Sequence, residues 1–488
     1  MNANRGTFAF PVPDFVGKGI ERQPQTAGEP WPVGTVIVDP DAHWLEEDLW
    51  IERFPDHLKH KAPRVEFKDG SWEFTVNGEA MWPKAQADAI CQQMECFPGI
   101  NNVTARLADM DAEGVNKQLL FPQRLFGLFF QQRGDIDLRG EIFRAYNSYM
   151  ADVCAKAPHR LFFVAIPNYW EPKSAAGSIE HAKSLGASAL MVPINPRQDA
   201  KGRPIRYNDP AMDTFWTAVA DSGLPLCFHI GENIPDDLPG ATATYVLGQL
   251  AGFRTTWGTL VYSGLFDRHP TLRVVFVEAG ISWVASMLHD ADMLYAAFPP
   301  VGVNTFGQAS DEVAARQVLQ HPPGWYWHHH CYATFMTDPA GLEQLHRIGA
   351  GRVMWAADYP HSEGTFGYTR TAIQAVQCRR SRRRAGHSRQ DGRISVQHAL
   401  RRRCSAYIGR QPGQRWLPSG CKAKRATCID VKPPVDSRNN GSALFLAAPR
   451  VEICRHPPRS SSSFGTRWPL KTVDQELGVS IPHSSKSV

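Results

Sequence analysis

Thr35-Val-Ile-Val38 runs directly into Asp39-Pro-Asp-Ala-His43, so an apolar segment ends on two carboxylates and a histidine. Three later apolar runs end in the same way, namely Leu224–Phe228 before His229, Leu272–Val277 before Glu278, and Val353–Ala357 before Asp358-Tyr-Pro-His361. Runs of this length and apolarity are typical of buried parallel strands, and each polar residue follows where its strand leaves the core. Because the four endings are spread widely along the chain, they predict a barrel that gathers side chains from several strand ends into one site.

Strand and helix patterns alternate through residues 33–376. Further strands are predicted at Lys117–Phe121, Arg160–Pro167, Ala187–Val192 and Tyr332–Met336, and helices at Ala105–Gly114, Ile142–Ala157, Ala175–Leu185, Phe215–Asp221, Ser282–Ala297 and Gly341–Ile348. About eight strands separated by helices imply an α/β fold with a parallel sheet. A (β/α)8 TIM barrel is favoured over an open doubly wound sheet, because no glycine-rich phosphate loop follows the first strand. Residues 1–32 are predicted to form an arm that packs on the barrel, and residues from about 50 to 100 an insertion.

The composition predicts a large core, since 43% of the 488 residues are hydrophobic. No run approaches the roughly 18 consecutive apolar residues that a membrane span needs. The first residues lack the charged and apolar regions of a secretory signal. The ten cysteines show no CxxC or CxxH spacing. These features predict a cytoplasmic protein without membrane contact and without disulfide bonds.

The net charge of +5 combines two very different segments. Residues 377–488 contain 23 Lys and Arg against 6 Asp and Glu, a local charge of +17, whereas residues 1–376 carry −12. Such an asymmetry is typical of a basic arm that binds nucleic acid, and this is one interpretation of the tail.

We favour a second interpretation, which is translation out of frame from near Val376–Cys378. Cys378–Arg415 contains twelve arginines, no lysine, one acid and no helical apolar period, as GC-rich DNA yields in a shifted frame. When Gln377–Leu400 is back-translated with permitted codons and read one base later, it gives a short Ala/Ile/Leu helix that ends in Gly-Lys-Thr-Ala. On this hypothesis nucleic acid is not a partner, and residues 377–488 form a disordered tail. Most of the helix that should close the barrel is then lost, and the nucleotide sequence across the junction tests this.

Asp41 and His43 stand two positions apart, so on a strand their side chains project from the same face. A carboxylate and an imidazole at this spacing form half of a site for a divalent metal such as Zn²⁺ or Mn²⁺. His229 and Asp358 would complete four ligands once the barrel closes. Such a metal activates a water molecule or polarises a substrate oxygen.

The remaining strand-end residues are candidates for catalysis. Glu278 is placed to move protons or to hold a ligand, and His361, directly after Pro360, is placed to contact a substrate. Asp358 could also act as a base.

Each of these residues also has a purely structural interpretation. Asp41 could cap the segment that begins at Trp44, and Glu278 could cap a helix that begins at Ile281. A single histidine such as His229 is often a satisfied core residue. His328-His329-His330 is predicted to be a solvated loop, because three consecutive histidines cannot all face one ion. The coincidence of four endings at one structural location favours the functional interpretation.

Several stretches resemble the amidohydrolase-related family, in the branch that contains aminocarboxymuconate-semialdehyde decarboxylase. They are Asp39-Pro-Asp-Ala-His43-Trp-Leu-Glu46, Arg106-Leu-Ala-Asp-Met-Asp-Ala-Glu-Gly114, Phe266–Gly280 and Trp355-Ala-Ala-Asp-Tyr-Pro-His361. The resemblance covers roughly residues 33–376 and implies a metal-dependent TIM barrel that acts as a hydrolase or a non-oxidative decarboxylase. The family's ligands on the first, fifth and eighth strands carry over to Asp41, His43, His229 and Asp358. At the sixth strand, where the decarboxylases carry a catalytic histidine, this chain has Glu278.

The expected substrate is therefore a small carboxylated molecule, which could be aromatic. The expected cofactor is Zn²⁺, with Mn²⁺ or Fe²⁺ as alternatives. In decarboxylation a protonated acid delivers H⁺ to carbon, whereas in hydrolysis Asp358 takes a proton from metal-bound water. A catalytically idle barrel that serves as a binding scaffold is the alternative outside enzymes, and a homo-oligomer is compatible with either function.

Overall fold

The computed structural model describes residues 31, 34–46, 50–68, 70–81, 96–126, 128, 136–199, 201–231, 239–297, 319–361, 363–374 and 376. The predicted N-terminal arm, apart from Trp31, and the predicted tail of residues 377–488 lie outside these residues. Among the described helices, none combines the length and apolarity required to cross a membrane.

Within the described residues, eleven strands form two sheets. They are β1 (Val38–Trp44), β2 (Arg64–Lys68), β3 (Ser71–Val76), β4 (Glu79–Ala80), β5 (Lys117–Pro122), β6 (Leu161–Ala165), β7 (Ala189–Met191), β8 (Leu226–His229), β9 (Val274–Val277), β10 (Cys331–Phe335) and β11 (Val353–Trp355). β1 and β5 to β11 are all parallel and follow one another around an eight-stranded sheet. The apolar runs predicted these strands, but β1 begins at the last residue of its run, Val38, and contains Asp41 and His43, which were expected to follow it.

Helices separate the barrel strands. They are α1 (Val103–Glu113), α2 (Ile136–Ala155), α3 (Pro172–Ser184), α4 (Asp213–Ser222), α5 (Ala241–Tyr262), α6 (Leu265–Arg268), α7 (Ser282–Ala297), α8 (Pro323–His330), α9 (Pro339–Glu343) and α10 (Leu345–Ile348), with short 3₁₀ helices at Ile51–Arg53, Asp56–Lys61, Pro98–Ile100 and Pro210–Met212. α1 ends at Gly114, whose φ of 75° is the left-handed value that favours glycine there. The predicted glycine cap is therefore confirmed.

The sheet closes where β1 meets the chain just beyond β11. Ala42 forms a parallel bridge with Tyr359. On either side of it the Asp358 N–H donates to the Asp41 carbonyl at 2.8 Å, and the His43 N–H donates to the Tyr359 carbonyl at 2.7 Å. We name this junction, between β1 and residues 357–359, the barrel seam. It confirms the predicted (β/α)8 TIM barrel.

A buried carboxylate lies beneath the barrel seam. Asp39 is fully buried, and its Oδ1 accepts hydrogen bonds from the Ala357 N–H at 2.9 Å and the Asp41 N–H at 3.2 Å. Its Oδ2 accepts from the side-chain amide of Gln118 on β5 at 3.1 Å. Gln118 in turn accepts a hydrogen bond from the buried guanidinium of Arg106 on α1. One side chain thus connects β1, β5 and the segment after β11.

The predicted insertion contains the small antiparallel sheet β2-β3-β4. Phe74 and Val76 of β3 are buried and belong to the barrel's hydrophobic core cluster, whereas Phe67 of β2 is 62% exposed. The insertion is therefore packed on the barrel along one face.

Two local predictions were wrong. His328-His329-His330 is not a solvated loop: it forms the last turn of α8, where His330 is buried and its Nδ1 lies 3.0 Å from the Leu272 carbonyl. The single helix predicted at Gly341–Ile348 is two short helices, α9 and α10, which meet at Gln344.

The chain beyond the barrel seam begins a helix, as predicted from Thr369 onward. Residues 369–374 and 376 are helical, and the Thr369 N–H donates to the Glu113 carboxylate at 3.1 Å. Ala372 and Ile373 are buried, so this segment covers part of the core.

Replacing Asp39 with Ala should lower the free energy of unfolding by about 3 kcal/mol, because the Ala357 N–H and the Gln118 amide would be left buried without an acceptor. Denaturant unfolding measures the change. Asp111→Ala is the matched control, since it removes an aspartate whose side chain is 68% exposed and is paired only with Arg160 among the ion pairs. It should cost less than about 1 kcal/mol. Equal losses in the two variants would contradict the role assigned to Asp39.

Candidate metal centre

The predicted ligands meet at the carboxyl ends of the barrel strands. Asp41 and His43 lie within β1, and His229 is the last residue of β8. Asp358 lies three residues beyond β11, at the barrel seam. Because the carboxyl ends of all eight strands open at one face, side chains far apart in sequence become neighbours there.

The four side chains are buried and in contact. Their exposed fractions are at most 2%. His229 Nε2 lies 3.1 Å from Asp41 Oδ1, and His43 Nε2 lies 3.3 Å from Asp358 Oδ1 and 3.8 Å from Asp41 Oδ1. The interpretation of Asp41 as a cap is wrong, because Trp44 continues β1 and begins no helix. His229 is buried with a partner for each ring nitrogen, the Ile230 carbonyl and Asp41, and the second of these contacts brings it into the cluster.

Three ligand atoms in this cluster lack a partner. Within the described part of the chain, Asp41 Oδ2, His43 Nε2 and Asp358 Oδ2 are buried and accept no hydrogen bond. Buried polar atoms are almost always paired, because losing water without replacing its hydrogen bonds is costly. Two carboxylate oxygens and one imidazole nitrogen are donors that suit a divalent cation. The residues present therefore fit a metal ion.

The backbone fixes the tautomer of His43. Its Nδ1 lies 3.0 Å from the Pro122 carbonyl, an acceptor, so Nδ1 carries the proton and Nε2 keeps its lone pair toward the carboxylates. Burial, assisted by the neighbouring His361 and His229, lowers the pKa of His43 well below its usual value. His43 is therefore a neutral imidazole, which is the form that binds metals.

Glu278 stands at the edge of the cluster in an unusual backbone conformation. Its φ is 54°, in the left-handed region that residues other than glycine seldom adopt. Its N–H donates to Thr334 Oγ1 at 2.7 Å, and its carboxylate lies 3.8 Å from His229 Nδ1. Burial, followed by repulsion from Asp358, raises the pKa of Glu278 well above its usual value. At 12% exposure it is more accessible than the buried ligands.

Glu278 does not cap α7, so that structural interpretation is wrong. The N–H groups of Ile281 and Ser282 donate instead to Asp338 Oδ2, both at 2.7 Å. Asp338 comes from the loop after β10, and sequence patterns gave no indication that it reaches across to this turn.

His361 lies against the other side of the cluster. Its ring centroid is 4.2 Å from that of His43, its Nδ1 is 2.9 Å from Asp358 Oδ1, and its Nε2 is 3.0 Å from Gln123 Oε1. Burial works against the charged form, but attraction from the Asp358 carboxylate outweighs it and raises the pKa of His361 to about 9. The cluster therefore places a cationic donor beside the metal ligands.

Sequence patterns missed the residues that surround the ligands. Phe121 and Phe126 place their rings 4.8 Å and 4.9 Å from that of His229, on a segment that also carries Gln123. Glu46 is buried nearby and accepts hydrogen bonds from the backbone of that segment. Glu46 was the last residue of the first stretch that resembles the family, but nothing in that stretch gave it a role. For Gln123 the available signal was its position after the second barrel strand.

Glu278 and His361 also belong to a ligand-capable group. The metal-binding atoms of His43, Glu278, Asp358 and His361 all lie within 4.8 Å of one another, as do those of Asp41, His43 and His229. All the predicted site residues are therefore brought together in one place.

Comparison with known proteins identifies a family, related sequences and related solved structures. A family model described as amidohydrolase matches residues 38–378. A gamma-resorcylate decarboxylase from Rhizobium sp. (strain MTP-10005) is 25% identical over 280 residues, which are 55% of this chain and 81% of the relative. A gamma-resorcylate decarboxylase from Polaromonas sp. (strain JS666 / ATCC BAA-500) is 24% identical over 270 residues, or 52% of this chain and 76% of the relative.

Solved structures share the fold at lower identity. An amidohydrolase from Mycobacterium avium subsp. paratuberculosis K-10 superposes with a TM-score of 0.56 at 16% identity, over 71% of this chain and 95% of the other. A 5-carboxyvanillate decarboxylase from Novosphingobium aromaticivorans DSM 12444, complexed with manganese and 4-hydroxy-3-methoxy-5-nitrobenzoic acid, gives 0.51 at 18% identity, over 77% and 95%. Since the family match spans well over half of the residues and the barrel agrees with it, this chain is an enzyme of the amidohydrolase family.

Proposed function

We propose that this protein is a metal-dependent, non-oxidative decarboxylase of a small aromatic carboxylate. The observation that carries the proposal is the set of three buried ligand atoms without partners, on Asp41, His43 and Asp358, at the mouth of the barrel. The relatives named as decarboxylases of gamma-resorcylate support this reaction over hydrolysis.

The ion would be held by Asp41, His43, His229 and Asp358. Manganese in the related 5-carboxyvanillate decarboxylase makes Mn²⁺ a candidate beside Zn²⁺. When bound, the ion supplies a Lewis acid that polarises the substrate carboxylate and a neighbouring oxygen.

Glu278 is the proposed proton donor. In the reaction the bond between the ring carbon and the carboxylate breaks, CO₂ leaves, and the electron pair stays on the ring carbon. That carbon must then take up a proton, which Glu278 delivers and regains from solvent. Its carboxyl group is within 4.8 Å of ligand-capable atoms of His43 and Asp358, and it is more exposed than either of them. It therefore lies beside the proposed ligands, where the substrate carboxylate would bind, and remains accessible to water.

The residues on the opposite side orient the substrate. His361 is held between Asp358 and Gln123, so its ring is fixed in place and its positive charge attracts an anionic substrate to the cluster. Phe121 and Phe126 pack on the ligand histidines and keep water from that side.

The metal centre predicts a difference between two aspartate variants. In metal-stripped wild-type protein, Mn²⁺ or Zn²⁺ at about 100 times its Kd should raise the free energy of unfolding by about 2.7 kcal/mol. Asp41→Asn should gain less than about 1 kcal/mol at the same concentration, because it removes a ligand. Without metal it should stay within about 1 kcal/mol of wild type, since its NH₂ group takes the place of an oxygen that already lacks a partner. Thermal or denaturant unfolding with and without metal measures both effects.

Asp213→Asn is the control for the metal experiment. Asp213 also pairs a carboxylate with a histidine, His269, at 3.1 Å, but its side chain is 48% exposed and belongs to neither ligand-capable group of the described residues. This variant should keep the full response to metal. A wild-type response in Asp41→Asn would contradict the proposed ligand set.

The proposed reaction predicts CO₂ release from gamma-resorcylate or 5-carboxyvanillate by the metal-loaded protein, with one deuterium on the ring carbon when the reaction runs in D₂O. Glu278→Gln should lower kcat by about 10²- to 10⁴-fold while metal affinity stays within about threefold of wild type. If Glu278 is a ligand instead, its loss should weaken metal binding by more than about tenfold.

Glu141→Gln is the matched control, because Glu141 forms only a surface ion pair with Arg144 among the salt bridges. It should leave kcat unchanged. If the protein turned over amide or ester substrates and released no CO₂ from either aromatic acid, its reaction would be hydrolysis and the proposed decarboxylation would be wrong. An absence of any turnover by metal-loaded protein would favour the binding scaffold.

A further inference from the structure

We propose that Glu46 is a positioning residue that holds a five-residue segment against the proposed metal centre and so sets the geometry of its histidines. This segment, residues 122–126, is named the β5 strap. The inference rests on the proposed metal centre, but it concerns a residue that binds no metal and touches no substrate.

The Glu46 side chain binds the backbone of the β5 strap. It is fully buried, and its carboxylate accepts hydrogen bonds from three consecutive N–H groups, those of Gln123 at 3.2 Å, Arg124 at 2.6 Å and Leu125 at 3.4 Å. The Glu46 carbonyl also accepts from the Arg124 side chain at 2.8 Å. Burial raises the pKa of Glu46 to about 7, and the N–H donors of the strap oppose this rise because they stabilise the ionised carboxylate. Hydrogen bonds to an ionised carboxylate are the stronger kind, so the strap is held most tightly in that form.

These hydrogen bonds lie where the pairing between β1 and β5 ends. The pairing of β1 with β5 ends at Trp44 and Pro122. Glu46 stands two residues beyond the end of β1 and bonds the residues just beyond the end of β5. It therefore continues the connection between the first two barrel strands after their backbone ladder has stopped.

The strap contacts the site at three points. The Pro122 carbonyl fixes the tautomer of His43, and the Gln123 side chain bonds His361. The Phe126 ring lies 5.8 Å from that of His43 and 4.9 Å from that of His229. A displacement of the strap would therefore move the environment of all three histidines together.

A neutral variant tests this role. Glu46→Gln keeps the shape of the side chain but replaces one acceptor oxygen by an NH₂ group, which cannot accept from the strap and opposes its N–H groups. The strap should shift, and metal affinity should fall by about 10- to 100-fold, as on loss of other residues that orient ligands. The probe is Co²⁺, whose visible absorption reports ligand geometry, and this spectrum should change in the variant.

A control variant separates positioning from general destabilisation. Asp267→Asn also weakens a carboxylate that accepts from a backbone N–H, that of Gln320, and from the Tyr326 hydroxyl. Asp267 lies in α6, which leads into the start of β9, whereas the site lies at the carboxyl ends of the strands. This variant should lower thermal stability and leave Co²⁺ affinity and spectrum unchanged. Glu46→Asp keeps the carboxylate but shortens the side chain, so its affinity for Co²⁺ should lie between those of wild type and Glu46→Gln.

A second measurement does not depend on metal. In metal-free protein, the imidazole ¹⁵N–¹H resonances of His43, His229 and His361 should shift in Glu46→Gln and stay in place in Asp267→Asn. If Glu46→Gln does not fold, Glu46→Asp is measured in its place. Unchanged histidine resonances in the folded Glu46 variant would overturn the proposal. If wild-type protein binds no Co²⁺, the proposed metal centre fails, while the resonances still decide the role of Glu46.

Discussion

The structure depends on one constraint: the barrel closes at the same backbone positions that carry the metal ligands. Asp41 supplies the carbonyl and Asp358 the N–H of one closing hydrogen bond, and His43 supplies the N–H of the next. A barrel must bring its first and last strands together, so closure itself sets the distance between these three side chains. Asp39 holds the same junction from below, through the Ala357 N–H and the Gln118 amide. Fold stability and site geometry therefore rest on the same few contacts.

The site also holds backbone strain. Glu278 and Asp358 each have a φ of 54°. Glu278 follows directly after β9, and Asp358 lies three residues beyond the end of β11. A residue other than glycine in this region costs on the order of 1 kcal/mol or more and persists only where the surroundings hold it. Thr334 bonds the N–H of Glu278, and the Asp41 carbonyl bonds that of Asp358. The two acids are thus turned into the cluster by contacts with neighbouring strands, which is consistent with a functional role.

Strand endings could be predicted because apolar period and strand polarity are local properties of the sequence. That information sufficed for the barrel and for the convergence of the ligand candidates, of which His229 is the clearest. It did not suffice where one side chain bonds a loop from a distant strand, as Asp338 does for the turn after Glu278 or Glu46 for the segment after β5. The prediction for His328-His329-His330 was wrong for a similar reason. Its polarity suggested a solvated loop, but packing of α8 against Leu272 buries the last histidine.

The segment after the barrel seam bears on how the last strand is supported. Arg106 lies 4.1 Å from the Tyr359 ring, whose hydroxyl donates to Asp109, so α1 braces the seam from outside. The carboxylate of Glu113, at the end of the same helix, then accepts from the Thr369 N–H where the next helix begins. The first turns of the closing helix are therefore present and packed before the composition changes at residue 377. The family match ends at almost the same place, at residue 378. Among the described residues, the contacts that support the barrel seam and its ligands therefore come from elements that precede this junction.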